Sequence, residues 1–106
     1  MNDSHSRAAS AFERLARRYA SEKRVSRGQM LVSEGLRVEG RFFAALVNGK
    51  LLVKLPHERV AVLISTGIAA PFESGKGRVA KEWALVSSSV TRRWPALADE
   101  ALAFVG

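Results

Sequence analysis

The centre of the chain reads Phe42-Phe43-Ala44-Ala45-Leu46-Val47-Asn48-Gly49-Lys50-Leu51-Leu52-Val53-Lys54-Leu55. An Asn-Gly pair between two strand-like runs is the strongest short-range signal of a β-hairpin, because a type I′ turn needs positive φ at both central residues. A two-residue loop at Asn48-Gly49 predicts an apolar face built from cross-strand pairs. These pairs are Leu46 with Leu51, Ala44 with Val53, and Phe42 with Leu55.

The opposite face of this predicted hairpin is basic, with some apolar content. It pairs Val47 with Lys50, Ala45 with Leu52, and Phe43 with Lys54, and Arg41 points the same way. A slip of one residue would bury the lysines, so the pattern itself fixes the register. We therefore expect one face in the core and one cationic face that carries the aromatic ring of Phe43.

Hydrophobic periodicity on either side of the hairpin predicts further strands and helices. Alternating apolar residues indicate strands, whereas apolar residues three or four positions apart indicate helices. The predicted strands cover residues 28–33, 36–40, 42–47, 50–55 and 79–86, and the predicted helices cover 5–22, 57–66 and 94–105. Residues 70–78 are predicted to form a loop, and residues 87–89 to interrupt regular structure. Mostly sequential hairpins imply a single antiparallel sheet of about five strands with helices over its apolar face, an α+β fold.

Length and composition narrow the class of protein. The 106 residues suit a single domain that spans 1–106. The chain contains no cysteine, which excludes a disulfide framework, thiol catalysis and a Cys-based zinc site. No apolar run approaches the roughly 18–20 residues of a membrane span, and the first residues lack the apolar stretch of a secretion signal. We expect a cytoplasmic protein without a membrane segment.

The formal charge of +7 suggests a partner that carries negative charge. The densest cationic group runs from the end of the first predicted helix into the loop that follows it, and comprises Arg14, Arg17, Arg18, Lys23, Arg24 and Arg27. Cations at a helix C-terminus are favoured by the backbone dipole, so this group has a structural explanation. The candidate interaction surface is instead the basic hairpin face together with the loop that follows Ser74, because cations and backbone N–H groups bind anions. Its residues are Arg41, Phe43, Lys50, Lys54, Lys76, Arg78 and Lys81.

The polar residues show no spacing that predicts catalysis. His5 and His57 have no second histidine at a helical or strand spacing, so no metal pair is predicted. The loop at Gly75-Lys76-Gly77 fails the Walker pattern, because Ala70 and Gly77 stand where glycine and a hydroxyl residue are required. We therefore predict no catalytic, metal or cofactor-binding residues, and we expect Trp83 and Trp94 to be core and staple residues rather than a ligand cage.

Two segments carry a resemblance to a known family. The first runs Gly35-Leu36-Arg37-Val38-Glu39-Gly40-Arg41-Phe42-Phe43-Ala44 and continues at Gly49-Lys50-Leu51-Leu52-Val53-Lys54-Leu55; the second is Pro71-Phe72 followed by Gly75-Lys76-Gly77-Arg78-Val79-Ala80-Lys81-Glu82-Trp83. Over residues 24–105 the chain resembles the N-terminal domain of the TfoX (Sxy) competence regulators, which is related to the MmcQ/YjbR-like proteins. The resemblance implies an antiparallel sheet flanked by helices, a role in transcription regulation and competence, and no catalytic residues.

These observations lead to an expected function and to alternatives. We expect a non-enzymatic regulatory module that binds a protein partner and needs no cofactor. Direct binding of nucleic acid through the basic sheet face is the first alternative, and it predicts an affinity that falls steeply with salt. An enzyme or small-ligand binder is the second alternative, and it predicts a concave pocket with converging polar groups.

Overall fold

The chain folds into one antiparallel sheet with three α-helices, which a computed structural model describes for residues 3–30, 33–73, 75 and 77–106. The helices are α1 (Asp3–Arg18), α2 (His57–Ser65) and α3 (Trp94–Val105), and a 3-10 segment, Ser88–Arg93, precedes α3. The strands are β1 (Val25–Met30), β2 (Ser33–Val38), β3 (Arg41–Val47), β4 (Lys50–Lys54), β5 (Ala69–Glu73) and β6 (Val79–Val86). They form a six-stranded sheet in the order β1-β2-β3-β4-β6-β5, in which all neighbours are antiparallel. The predicted α+β class is confirmed, with six strands rather than about five.

The β3–β4 hairpin has the predicted register next to its turn. Ala44 pairs with Val53, Ala45 with Leu52, Leu46 with Leu51, and Val47 with Lys50. Asn48 has φ +51° and Gly49 has φ +75°. These are the positive values that a two-residue type I′ loop requires, so local sequence chemistry is sufficient to define this turn.

The first two strands lie earlier in the chain than the predicted ranges 28–33 and 36–40. Residues 34 and 35, which the prediction leaves as a turn between strands 28–33 and 36–40, belong to β2, and Gly28 of β1 pairs with Gly35 of β2. Leu31 and Val32, which the prediction includes in the first strand, lie outside the described residues. Glycine within a strand marks a position where another group approaches the backbone closely. Gly35 occupies such a position, and the sequence pattern alone reads it as a turn.

Strand β5 is an element that the sequence does not predict. It lies at the edge of the sheet, and all of it but Ala69 falls within residues 70–78, where the prediction has a loop. Proline is confined to edge strands because it cannot donate to a second neighbour, and Pro71 in β5 satisfies this condition because β5 pairs with β6 alone in the described sheet. The segment is rich in turn-forming residues, so the sequence predicts a loop where the structure has an edge strand.

The helices pack on one face of the sheet and form the core with it. The apolar stripe predicted for the first helix is buried, although α1 ends at Arg18 and not at residue 22. The stripe comprises Ala8, Phe12, Leu15, Ala16 and Tyr19. Trp94 at the start of α3 is 0% exposed, and its Nε1 donates a hydrogen bond to the Ser87 carbonyl oxygen at 3.1 Å. The predicted interruption at residues 87–89 leads into the 3-10 segment, and Ser87 caps it by accepting from the Ser89 backbone N–H.

No helix in the described part of the chain is both long enough and apolar enough to cross a lipid bilayer.

A β-bulge in β3 reverses the predicted placement of the two phenylalanines. Leu36 pairs with Ala44 while Arg37 pairs with Phe42, so Phe43 is an extra residue without a partner in β2. Phe43 is 0% exposed in the core, and its ring meets that of Tyr19 edge-on with centroids 5.7 Å apart. The prediction of Phe42 in the core face and Phe43 on the basic face is therefore wrong. The extra residue of a bulge interrupts the two-residue alternation on which that prediction depends.

Candidate functional site

The face of the sheet opposite the helices presents cations and aromatic rings. Strand alternation and the observed pairings place a set of side chains on this face, which we call the open sheet face. The set comprises Arg37, Phe42, Ala45, Val47, Lys50, Leu52, Lys54, Trp83 and Leu85. None of these residues belongs to the cluster that the helices build with the other face. Ala45 and Leu52 pair directly and are 0% exposed, so they form an apolar floor between the larger side chains.

The ring of Phe42 lies against bare backbone at Gly35. A Cβ added to Gly35 would stand 2.7 Å from Cε1 of the Phe42 ring. The guanidinium carbon of Arg37 is 5.6 Å from the centroid of the same ring, within the range of a cation–π interaction. A Cβ added to Gly28 would in turn stand 2.8 Å from that guanidinium carbon. The two glycines therefore leave the space in which Arg37 and Phe42 stack on the sheet.

Replacing Gly35 by alanine is expected to displace the Phe42 ring and to lower the free energy of unfolding by about 1 kcal/mol, the cost of a strained rotamer. Urea unfolding of the Gly35→Ala chain measures this loss. The matched background is Phe42→Ala, where the added methyl group meets only the Ala44 carbonyl oxygen at 3.2 Å and the loss is expected to be smaller. An equal loss in both backgrounds would show that Gly35 does not accommodate the ring.

A second cation–aromatic pair joins β4, the neighbour of β3, to β6. Lys54 of β4 pairs in register with Trp83 of β6, and its Nζ is 5.8 Å from the centroid of the Trp83 ring system. Lys50 lies at the other end of β4 on the same face and is exposed. The three adjacent strands β3, β4 and β6 thus present an aromatic ring, a lysine and a second aromatic ring in that order.

A cleft of about 400 Å³ opens where these strands meet the end of α3. It is lined by Arg41, Phe42, Lys54, Glu82, Trp83, Phe104 and Val105. Arg41 Nη2 donates a hydrogen bond to the Val105 carbonyl oxygen at 2.7 Å, which holds the guanidinium at the rim. Arg41 pairs with Val38, which is a core residue, so its side chain lies on the face opposite to that of Lys50 and Lys54. The prediction that Arg41 shares their face is wrong. Arg41 reaches the cleft from the helix side of the sheet.

The structure separates the sequence-predicted site residues into groups. Lys50 and Lys54 lie on the open sheet face as predicted, whereas Phe43 is in the core. Lys76 lies outside the described residues. Arg78 and Lys81 are exposed near the start of β6. Lys81 does not line the 400 Å³ cleft; it lines a second, more apolar cleft of about 210 Å³ with His57, Val60, Ala61, Ile64, Pro71, Val79, Ala80 and Trp83.

Four residues of the open sheet face are not anticipated by the sequence: Arg37, Phe42, Trp83 and Leu85. Trp94 lies in the core, whereas the side chain of Trp83 is half-buried and lines both clefts. Residues 83–86 are apolar on both faces of β6, so their alternation does not reveal which face the helices cover. The pairing of Trp83 with Lys54 shows that Trp83 lies on the open sheet face, and this pairing is known only once the order of the strands is known.

The cations between the end of α1 and the start of β1 differ from those of the open sheet face in their partners. Arg18 binds Asp99 at 2.6 Å, Arg24 binds Glu22 at 3.4 Å, and Arg27 binds Glu13 at 2.7 Å. The hydrogen bond from Arg27 lowers the pKa of Glu13 below its ordinary value, and Arg24 does the same to Glu22. Within the described residues, no ion pair includes Arg37, Lys50 or Lys54. The uncompensated charge near the aromatic rings therefore lies on the open sheet face.

Neither histidine belongs to the open sheet face, although His57 lines the second cleft together with Trp83. His5 of α1 is exposed, and its ring lies beside the hairpin turn, where a Cβ on Gly49 would stand 3.0 Å from it. His57 is exposed at the start of α2. Among the residues for which positions are described, no cluster of three or more His, Asp or Glu side chains has the geometry to hold a metal ion.

No model of a known protein family matches the chain, and no curated protein matches it. The resemblance to the TfoX N-terminal domain consequently rests on residue patterns alone.

Proposed function

We propose that this chain is a non-enzymatic regulatory module and that the open sheet face is the surface with which it contacts its partner. Regulation of transcription, the role implied by the resemblance to TfoX, is the setting in which we place it. The cytoplasm is the compartment that fits a chain without cysteine. The proposal requires no cofactor.

The observation that carries this proposal is the combination of charge, rings and accessibility on one face. Two cation–aromatic pairs, Arg37 with Phe42 and Lys54 with Trp83, flank the apolar floor. A surface that is apolar at its centre and charged around it is typical of interaction sites, and aromatic residues and arginine are enriched there. The helices cover one face of the sheet, so the open sheet face is the face of the sheet that a partner can reach.

Charge reversal on β4 is expected to release the partner. The immobilised chain is incubated with an extract of its native host, and the bound material is compared with that held by the Lys50→Glu/Lys54→Glu variant. We expect the wild-type chain to retain a specific partner and the variant to lose it, because like charges placed across an interface repel. Bound proteins are identified by mass spectrometry and bound nucleic acid by sequencing.

A variant with the same change of charge elsewhere serves as control. Arg14→Glu/Arg17→Glu reverses two exposed charges on α1, away from the open sheet face. The proposal requires this control to bind like the wild type. A partner that both double variants retain equally, or that both lose, would place the contact surface elsewhere and contradict the proposal.

A further inference from the structure

We infer that the partner that contacts the open sheet face is single-stranded nucleic acid, whose bases stack on Phe42 and Trp83 while its phosphates bind Lys50 and Lys54. This inference rests on the proposed function, since it takes the same surface and names the chemical class of its partner. It is carried by the spacing of the rings, the distribution of charge and the shape of the face.

Phe42 and Trp83 belong to strands that lie on either side of β4, so one strand of nucleic acid can contact both. Phe42 is on β3 and Trp83 is on β6, with β4 between them, so their backbones are two strand spacings or about 10 Å apart. Both rings line the 400 Å³ cleft and both are partly exposed. Aromatic rings on a sheet are stacking platforms for unpaired bases, and they tolerate any sequence because every base has a π face.

The cations lie where the phosphates of a stacked strand would pass. Lys54 stands between the two rings, with its Nζ 5.8 Å from the centroid of Trp83. Lys50 extends the line along β4, and the described residues provide neither lysine with a carboxylate partner. The one carboxylate that lines the cleft, Glu82, is accompanied there by Arg41. The face as a whole therefore remains attractive to a polyanion.

The shape of the face favours a single strand over a duplex. Proteins read a duplex by inserting a helix or a two-stranded ribbon into the major groove. The helices pack on the opposite face, and the open sheet face is a broad surface over the buried pair Ala45 and Leu52, with a cleft at one end. The bases of a duplex are stacked on one another and have no free π face for Phe42 or Trp83. An acidic peptide would meet the lysines but would leave the two rings unused.

The binding experiment uses a labelled oligo-dT of about 15 nucleotides, near the upper site size of small single-strand binders. Fluorescence anisotropy is recorded with the full chain between about 50 and 200 mM salt, the range in which counterion release is readily measured. We expect binding that weakens with salt. Lys50→Gln/Lys54→Gln is expected to reduce the log–log salt slope by about 1.4, which corresponds to two lost phosphate contacts on a single strand. Arg14→Gln/Arg17→Gln is the control with equal change of charge, and its slope and affinity should match the wild type.

Stacking is tested at Trp83 by a signal that electrostatic contact alone does not produce. Trp94 is buried and Trp83 is partly exposed, so oligo-dT is expected to quench the fluorescence of Trp83 and to leave that of Trp94 unchanged. Trp83→Ala should weaken binding by about tenfold or more, within the range measured for base–aromatic stacking. Trp83→Phe keeps a ring and should retain most of the affinity while losing the quenching. Thermal unfolding of each variant identifies any that fail to fold.

The outcomes separate this inference from the proposed function. No binding of oligo-dT near 50 mM salt would overturn the inference, as would equal affinity for a duplex of the same length together with no effect of Trp83→Ala. If oligo-dT does not bind while the charge-reversed chain loses a protein partner from the extract, the partner is a protein: the inference is wrong and the proposed function stands. If oligo-dT binds with an affinity that does not depend on Lys50, Lys54 or Trp83, the inference and the proposed function are both wrong, because the contact surface then lies elsewhere.

Discussion

Replacing Phe43 by alanine is expected to lower the free energy of unfolding by about 3–5 kcal/mol, the range for a buried phenylalanine. The ring is 0% exposed and packs edge-on against Tyr19, so the substitution leaves a cavity between β3 and α1. Chemical denaturation of the two chains, followed by circular dichroism, measures the difference. This loss would be a large fraction of the 5–15 kcal/mol that stabilises a typical domain.

The adjacent residue provides the matched control. Phe42→Ala removes the same ring from the open sheet face, where the side chain is partly exposed and its partners are Arg37 and the backbone at Gly35. We expect a loss of about 1 kcal/mol or less, the magnitude of an exposed cation–π contact. If Phe42→Ala were the more damaging substitution, the β-bulge would be absent and the alternation predicted from the sequence would hold.

Replacing Asp99 by alanine is expected to cost about 2 kcal/mol of stability, because it leaves a part-buried hydroxyl without its acceptor. Tyr19 donates its hydroxyl proton to Asp99 Oδ1 at 2.7 Å, and Arg18 donates to both carboxylate oxygens at 3.2 and 2.6 Å. These bonds join the end of α1 to α3. Glu100 provides the comparison, since it pairs with Arg59 at the surface without a tyrosine, and Glu100→Ala should cost less than about 1 kcal/mol.

The contribution of Asp99 is also expected to depend on pH. The hydrogen bond from Arg18, more than any other contact, holds the pKa of Asp99 below its ordinary value, against the opposing effect of burial. The Asp99 carboxylate therefore binds a proton less tightly in the folded chain than in the unfolded chain. The stability from Asp99 is present above the unfolded-state pKa of about 4 and is lost as pH falls through the folded-state value. The difference in stability between wild type and Asp99→Asn should shrink below about pH 4; a constant difference would exclude a role for the charge.

The sequence predicts those parts of the fold in which local chemistry determines the structure. The Asn48-Gly49 turn can adopt only a narrow set of backbone angles, so the hairpin and its register are predictable. The apolar stripe of α1 predicts which side of that helix is buried, and helix α3 has the predicted bounds. Strand β5 is missed because Pro71 reads as a loop signal, and its pairing with β6 depends on residues far from it in the chain.

The candidate site is less predictable than the fold because its rings depend on long-range pairings. Lys50 and Lys54 are found from the alternation of β4, which is regular. Phe42 replaces Phe43 on the open sheet face because of a bulge that shows no local signal in the sequence. Trp83 joins the site because β6 inserts beside β4, and nothing near residue 83 indicates that neighbour.

The position of β6 between β4 and β5 constrains the order in which the chain can fold. Strands β1 to β4 pair with their sequence neighbours, so they form by closing short loops, which is fast. Leu51 pairs with Val86 only after a much longer loop has closed, and β5 finds its partner in the described sheet only when β6 arrives. The Phe42 side of the cleft therefore belongs to the early part of folding and the Trp83 side to the late part. During synthesis on the ribosome, the chain is expected to complete this cleft only when its last third has emerged.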